Sequence, residues 1–180
     1  GIIACAMRAF DSRYSPYYSQ FIQALKYTKL KDAQAHAALE LSRACVELRD
    51  KKGLPIVGID LAGQEEGYPA INFKKAYGYA HKHFMHKTVH AGEAYGAESI
   101  FQAITDLYAD RIGHSYYLFD KNKIVHPDIE NKEKYIKDLS SYMADKRTVI
   151  EVCLTSNLQT NPEIKDIKDH SFGYMFENRF

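Results

Sequence analysis

Short runs of consecutive apolar residues alternate along the chain with longer segments in which apolar residues recur at helical spacing. The apolar runs predict five strands, over residues 2–7, 56–61, 84–90, 111–114 and 148–154. The helical spacing predicts helices over residues 16–25, 31–50, 71–83, 95–107 and 131–144, with two more short helices from Pro162 to about Ile167 and from His170 to Phe180. Because the strand runs are continuously apolar, we expect strands buried on both faces, which is typical of a parallel α/β sheet.

Polar or small residues collect where the predicted strands end. Gly63 follows the second strand, His90 ends the third with Glu93 three residues later, His114 ends the fourth, and Asn157 follows the fifth. In parallel α/β folds this edge of the sheet carries the chemistry. Groups spread over several strand ends are typical of a (β/α)8 TIM barrel, and no glycine-rich phosphate loop follows any strand.

The number of strand–helix units is too small for a closed barrel. Five units occupy the 180 residues, whereas a complete barrel of eight typically takes about 250 residues. The sequence therefore predicts one domain, residues 1–180, that is part of a larger (β/α) barrel.

The segment from His90 to Glu93 is the most suggestive local pattern. It lies where a predicted strand opens into the loop before a helix. Gly92 permits a tight turn that would bring the Glu93 carboxylate back beside the His90 imidazole. An imidazole and a carboxylate so placed suit a metal ligand beside a proton donor.

Composition narrows the partners and the compartment. A net charge of +1 and a pI of about 7.9 give no indication of a nucleic-acid or membrane-surface partner. No apolar run approaches the roughly 20 residues that span a bilayer. The three cysteines are far apart and form no CxxC motif, which indicates reduced thiols, a cytoplasmic location and no cysteine zinc site.

Several motifs together resemble those of the adenosine deaminase family. The members of this family are metal-dependent hydrolases of the amidohydrolase superfamily. The matching segments, in order and at compatible spacing, are Gly58-Ile59-Asp60-Leu61-Ala62-Gly63, His90-Ala91-Gly92-Glu93, Arg111-Ile112-Gly113-His114 and Thr155-Ser156-Asn157. The start, Cys5-Ala6-Met7-Arg8, resembles the third strand of the family's barrel. The resemblance implies that this chain covers the third to seventh βα units.

The resemblance also implies a reaction and roles for four residues. The reaction is the hydrolytic deamination of adenosine, a small-molecule purine nucleoside, to inosine and ammonia by a metal-activated water. His90 is implied to bind one Zn²⁺, or another divalent transition metal, in each active site. Glu93 donates a proton to purine N1, His114 orients or deprotonates the water, and the backbone N–H of Gly63 faces purine N3.

Two motifs of the family are missing. The His-x-His pair of the first strand and the aspartate pair of the eighth have no counterpart, so one of the family's four metal ligands is present. We therefore expect the 180-residue chain alone to be inactive. His81-x-His83 is not the missing pair, because it lies at the C-terminal end of a helix, where basic groups suit the helix dipole.

Alternatives remain open at this level. Adenine or AMP deaminases of the same superfamily would share these motifs, and a non-catalytic barrel fragment that acts as a binding module would keep them without turnover. Asp60 is expected to tie its strand end to neighbouring loops, and Asn157 either contacts the site or caps a loop. His170 is expected to be a surface or packing residue.

Overall fold

The computed structural model describes residues 1–161 and 164–177. Its strands are β1 (Ile2–Met7), β2 (Ile56–Ala62), β3 (His86–Ala91), β4 (Arg111–His114) and β5 (Val149–Glu151). They form one sheet in the order β1-β2-β3-β4-β5, and every neighbouring pair is parallel. The predicted α/β fold, strand order and strand direction are confirmed.

Seven α-helices lie in the described ranges. They are α1 (Pro16–Ala24), α2 (Leu30–Lys52), α3 (Lys74–Lys82), α4 (Ala97–Asp106), α5 (Lys132–Lys146), α6 (Leu154–Thr160) and α7 (Phe172–Glu177). Short 3₁₀ turns span Ala70–Phe73, Lys121–Lys123 and Ile167–Asp169. Local chemistry sets several ends: Ser15 caps α1 by accepting from the Tyr18 N–H, Asn131 caps α5, and Gly53 ends α2 in the left-handed region.

The core lies between the sheet and the helices that follow its strands. The side chains of Ile59 in β2, Val89 in β3 and Ile112 in β4 are at most 1% exposed. They form one cluster with α3 and α4 residues such as Tyr77 and Ile100. This packing holds the carboxyl ends of the strands in register and leaves that edge for polar side chains.

The last predicted strand is shorter than expected. β5 stops at Glu151 and α6 begins at Leu154, so Thr155–Asn157 is helical and not a loop after the strand. The run Val152–Leu154 is apolar, but an apolar run indicates burial and does not by itself distinguish a strand from the start of a helix.

Phe84 and β1 also differ from the prediction. Phe84 is 93% exposed with φ 58°, because the chain there closes α3 with a left-handed turn, and β3 starts only at His86.

β1 is not buried on both faces: Ile2 and Ile3 are 50% and 42% exposed. This strand pairs only with β2 in the described part of the chain.

The C-terminal predictions are tested in part. Pro162, the predicted start of a helix, and residues 178–180 lie outside the described residues. Residues 164–166 are not helical, so the predicted helix from Pro162 to about Ile167 is wrong over its described part, whereas α7 lies within the predicted last helix. Among the described residues, no helix is both long enough and apolar enough to cross a membrane.

Candidate active site

The parallel register places two imidazoles side by side at the carboxyl edge of the sheet. His90 is the register partner of Gly113, and His114 ends β4 opposite Ala91. The ring centroids of His90 and His114 are 4.9 Å apart, with the ring planes at 73°. Two of the predicted site residues therefore meet directly.

Glu93 reaches this pair through a turn at Gly92. Gly92 has φ 79°, and a Cβ there would lie 2.7 Å from Ile100 Cδ1 and 3.1 Å from Ser115 Cα. Only glycine suits both the conformation and the space. The turn brings Glu93 Oε2 to 3.6 Å from Nε2 of His114. The sequence predicted that this carboxylate would lie beside His90, whereas its ion-pair partner in the structure is His114.

His114 is held in an uncommon backbone conformation. Its φ is 72° and that of the next residue, Ser115, is 52°, a region that costs of order 1–3 kcal/mol for each non-glycine residue. The following backbone supports the turn, because the N–H of Ser115 donates to Ala91 O at 3.0 Å and that of Tyr117 donates to Gly92 O at 2.9 Å. The sharp exit from β4 thus fixes the imidazole over the strand ends.

A buried amide supports His114 from behind. Asn157 is 1% exposed, and its Nδ2 lies 3.2 Å from His114 Nδ1 while its Oδ1 lies 3.1 Å from His170 Nε2. Because Nδ2 can only donate, His114 Nδ1 accepts, and the proton of the neutral ring is on the Nε2 that faces Glu93. Burial lowers the pKa of His114, whereas the negative charge of Glu93 raises it.

His170 is a packing residue, as expected. The sequence did not reveal its partner, the Asn157 amide that also contacts His114. His170 is 3% exposed, and burial followed by the charge of His114 lowers its pKa. Its position 13 residues after Asn157 follows no helical or strand spacing. Only the packing of the segment after α6 brings the two side chains together.

Two buried charged residues that the sequence did not single out hold the segment from His90 to Tyr95. Arg8 is 0% exposed and donates to the carbonyl oxygens of Tyr68 and His90, each at 2.5 Å. Glu65, 2% exposed, accepts hydrogen bonds from backbone N–H groups of this segment. A charged residue just after a strand was the available clue, but such residues are commonly solvated.

Comparison with known proteins decides the family. A profile of the adenosine deaminase family matches residues 18–180. The chain belongs to the adenosine deaminase family. It is 35% identical over 153 residues to the adenosine deaminase of Mycobacterium avium, covering 84% of this chain and 41% of that protein. It is 42% identical over 133 residues to adenosine deaminase 1 of Streptomyces coelicolor, covering 73% and 32%.

Solved structures share the fold of this deaminase-family chain. The adenine deaminase of Arthrobacter aurescens superposes with a TM-score of 0.63 at 21% identity, over 97% of this chain and 40% of that one. The N6-mAMP deaminase of arabidopsis superposes with a TM-score of 0.60 at 28% identity, over 81% and 37%. A Burkholderia ambifaria amidohydrolase with bound Zn superposes with a TM-score of 0.59 at 18% identity, over 92% and 34%.

The relatives are longer than this chain, and the solved structures that share its fold are TIM barrels. The chain spans less than half the length of the curated adenosine deaminases it matches. The five parallel strands correspond to part of such a barrel. This agrees with the predicted α/β barrel class.

The residues present fit one ligand of a metal centre. Within residues 1–161 and 164–177, no group of three or more His, Cys, Asp or Glu side chains is arranged to hold a metal ion. His90 is a suitable single donor, because its side chain is 26% exposed at the strand edge and its Nε2 lies 3.5 Å from Asp60 Oδ2. The other oxygen, Asp60 Oδ1, is buried and makes no hydrogen bond within those residues.

Asp60 is therefore closer to the site than expected. It is the register partner of Thr88, and His90 is two residues further along β3, so both side chains share a face. Burial raises the pKa of Asp60, whereas the neighbouring His90 lowers it. The buried Asp60 Oδ1, which has no hydrogen-bond partner within the described residues, lies on the side chain beside His90, and this is consistent with a bound polar group or ion at this position.

Gly63 lies at the end of β2, the strand that pairs with the strand of His90. It follows β2 directly with φ 92°, and a Cβ at this position would be 3.2 Å from Met7 Cε and 3.6 Å from the backbone N of Arg8. The left-handed φ explains the requirement for glycine, because Met7 Cε is the end of a flexible side chain and 3.6 Å is an ordinary van der Waals distance. The edge of the sheet brings together His90, Glu93 and His114, with Gly63 on the neighbouring strand.

Proposed function

We propose that the protein containing this chain removes the 6-amino group of adenosine by hydrolysis, giving inosine and ammonia. The carrying observation is the grouping of His90, Glu93 and His114 at the strand edge of an adenosine deaminase family chain. Both curated relatives named above are adenosine deaminases, which supports adenosine over the alternatives, adenine and AMP.

Glu93 is the proposed proton donor. Water adds its oxygen to purine C6, Glu93 gives its proton to N1, and the C6–N6 bond breaks. Of the two protons of the water, one leaves with the amino nitrogen as ammonia and the other restores the acid form of Glu93. Addition at C6 breaks the aromatic ring and builds negative charge on N1, so an acid aimed at N1 lowers the barrier. The Glu93 side chain is 21% exposed, which leaves it accessible from a cavity of about 220 Å³ beside it.

His114 is the proposed group that orients the attacking water, by donating the Nε2–H that its contact with Asn157 leaves in place. Its ring is buried, neutral and fixed by Asn157 through Nδ1. The fixed Nδ1 contact leaves only Nε2 for the reaction. The backbone N–H of Gly63, at the end of β2, is proposed to donate to purine N3.

His90 is the proposed metal ligand of this chain. When bound, a divalent transition metal such as Zn²⁺ makes hydroxide available from water near pH 7. A metal ligand must be the neutral imidazole. The His90 ring packs against Gly113 on β4, and its Nε2 lies 3.5 Å from Asp60 Oδ2 on β2. We propose that the remaining ligands come from barrel strands outside the third to seventh units that this chain supplies.

The deciding experiment uses the complete protein and its Glu93→Gln variant. We expect the variant to keep its metal but to lose about 10²–10⁴-fold in kcat for adenosine, because glutamine has the shape of glutamate without the proton. Glu133→Gln, which removes an exposed carboxylate paired with Lys121 at 2.8 Å, is the matched control and should leave kcat unchanged. Near wild-type kcat in Glu93→Gln contradicts the proton-donor role, and faster turnover of adenine or AMP contradicts adenosine as substrate.

The second candidate is a non-catalytic module formed by this chain alone. It is favoured by the single metal-ligand candidate, His90, and by the absence of a metal-binding cluster in the described residues. We expect the purified 180-residue chain to show no turnover of adenosine in an ultraviolet assay, whereas the complete protein is active. Turnover by the chain alone would show that it carries a whole active site.

A cytoplasmic location is also proposed. It is supported by the free thiols of Cys5, Cys45 and Cys153, which suit a reducing compartment.

A further inference from the structure

Glu65 gathers an unusual number of hydrogen-bond donors. Its Oε2 accepts from the N–H groups of Glu93 at 3.0 Å, Ala94 at 2.7 Å and Tyr95 at 3.1 Å. Its Oε1 accepts from the N–H of Gly92 at 3.0 Å and from the hydroxyl of Ser99 at 2.6 Å. Because every partner is a donor, the buried side chain is present as a carboxylate.

The segment from Gly92 to Tyr95 has the geometry of an anion-binding backbone loop, and the anion that it binds is the Glu65 carboxylate of the same chain. Four consecutive N–H groups, from Gly92 to Tyr95, point to one carboxylate at the approach to α4. Charge-assisted hydrogen bonds of this kind are about twice as strong as neutral ones. The backbone of this loop is consequently fixed with respect to the loop after β2.

Two further contacts tie the same loops together. The N–H of Gly67 donates to the Tyr95 hydroxyl at 2.7 Å, and Arg8 joins Tyr68 O to His90 O. Burial lowers the pKa of Arg8 while the negative charge of Glu65 raises it, so two opposite buried charges support each other. The segment on which Glu93 lies is therefore held from both ends.

We propose that Glu65 is a positioning residue for deamination. Its carboxylate holds the peptide N–H of Glu93 itself, and this fixes the direction in which the Glu93 side chain leaves the backbone. The Glu93 carboxyl lies with Oε2 at 3.6 Å from His114 Nε2, and its Oε1 accepts from the Thr160 hydroxyl at 3.3 Å. This inference rests on the proposed function.

The test substitutes Glu65→Gln in the complete protein. The amide presents an NH₂ group to backbone N–H donors, so the loop loses part of its support and the negative charge. We expect kcat for adenosine to fall about 10²-fold, the effect of a misplacement of about 1 Å. KM and metal content should remain near the wild-type values, because the contact is proposed to act on the transition state only.

A double-mutant cycle with Glu93→Gln separates positioning from general stabilisation. If Glu65 acts through the Glu93 carboxyl, Glu65→Gln should lower kcat by less than about 3-fold once that acid is gone, because residues in contact are not additive. A purely structural role would lower the folded, active fraction and multiply the two losses. Multiplied losses would overturn the proposal.

Glu98→Gln is the matched control. Glu98 also holds a loop through two backbone N–H groups, those of Val125 at 2.9 Å and His126 at 2.7 Å, and both groups lie outside the segment from Gly92 to Tyr95. We expect its kcat to equal that of the wild type. An equal loss in Glu98→Gln would overturn the specific role of Glu65.

Ser99→Ala provides a milder variant if Glu65→Gln does not fold. It removes one of the donors to Glu65 and should lower kcat by about 2- to 5-fold, the effect of one hydrogen bond, again only while Glu93 is present. An active wild type whose Glu65→Gln and Ser99→Ala variants keep full kcat contradicts this inference alone. A wild type without adenosine turnover contradicts the proposed function instead.

Discussion

Gly113 lies directly against the His90 ring. The two residues are register partners on β4 and β3, and a Cβ at position 113 would come within 2.7 Å of His90 Cδ2 and 3.3 Å of His90 Nε2. The glycine therefore provides the space in which the candidate metal ligand lies. The backbone of one strand sets the orientation of a side chain on the next.

The Gly113→Ala variant tests this relationship. The added methyl group should displace the His90 ring, so we expect the complete protein to lose metal and at least about 10-fold in kcat, in line with the cost of a small misplacement. Gly78→Ala in α3 is the matched control, since a Cβ there meets no atom within 4 Å. It should keep full activity and gain up to about 1 kcal/mol in helix stability. Full metal content in Gly113→Ala would be inconsistent with this account.

His90→Ala should abolish metal binding, because it removes a direct ligand. His114→Ala should keep the metal and lose turnover, because it removes only the group that orients water. Metal content by elemental analysis, together with kcat, distinguishes the two variants. His81→Ala is the control: His81 stacks on Tyr108 with ring centroids 4.2 Å apart, and metal loss in this variant would show that the wrong histidine has been assigned.

Asn157→Leu should lower both stability and activity. The substitution leaves His114 Nδ1 and His170 Nε2 without their partner, and each buried unsatisfied group costs about 1–3 kcal/mol. Without its Nδ1 contact, His114 is free to change tautomer, so kcat should also fall. Denaturant unfolding and kcat of the complete protein measure the two effects. Asn122→Leu, at an exposed position, should change neither, and an unchanged kcat in Asn157→Leu would separate the amide from the reaction.

His170 should make stability sensitive to mild acid. Its neighbours are Asn157, the Phe172 N–H that donates to its Nδ1 at 3.0 Å, the Tyr116 ring at 5.0 Å and the imidazole of His114, and burial lowers its pKa. The unfolded chain takes up this proton near pH 6.5, whereas the folded protein does so only at lower pH. Stability should therefore be full above about pH 6.5 and should fall as the pH drops below it.

The matched variant for this pH dependence is His170→Gln. Glutamine can still donate to Asn157 Oδ1 but does not titrate, and His114 is retained, so the difference isolates His170. We expect the Tm of the complete protein to fall less in the variant than in the wild type between about pH 7 and pH 5. A wild type and variant whose Tm values differ by a constant amount across this range would contradict the prediction.

The sequence by itself determined the elements and their order. Apolar runs and helical spacing are local patterns, and a parallel sheet with sequential crossovers follows from them, so the positions of β2, β3 and β4 and the strand-end placement of His90 and His114 were predictable. The His90–Glu93 tetrapeptide was recognisable for the same reason, because its residues are neighbours in the chain. The end of β5 was not predictable, because an apolar run occurs in buried strands and in buried helices alike.

Only the tertiary structure decided which buried polar groups support the site. Glu65 contacts a loop about 28 residues away, Arg8 reaches a carbonyl 82 residues away, and Asn157 joins His114 to His170. Such contacts have no periodicity in the sequence, because a single polar residue after a strand is compatible with solvent, a cap or a buried partner. The choice is made by packing, which removes water from these groups and leaves them only each other as hydrogen-bond partners.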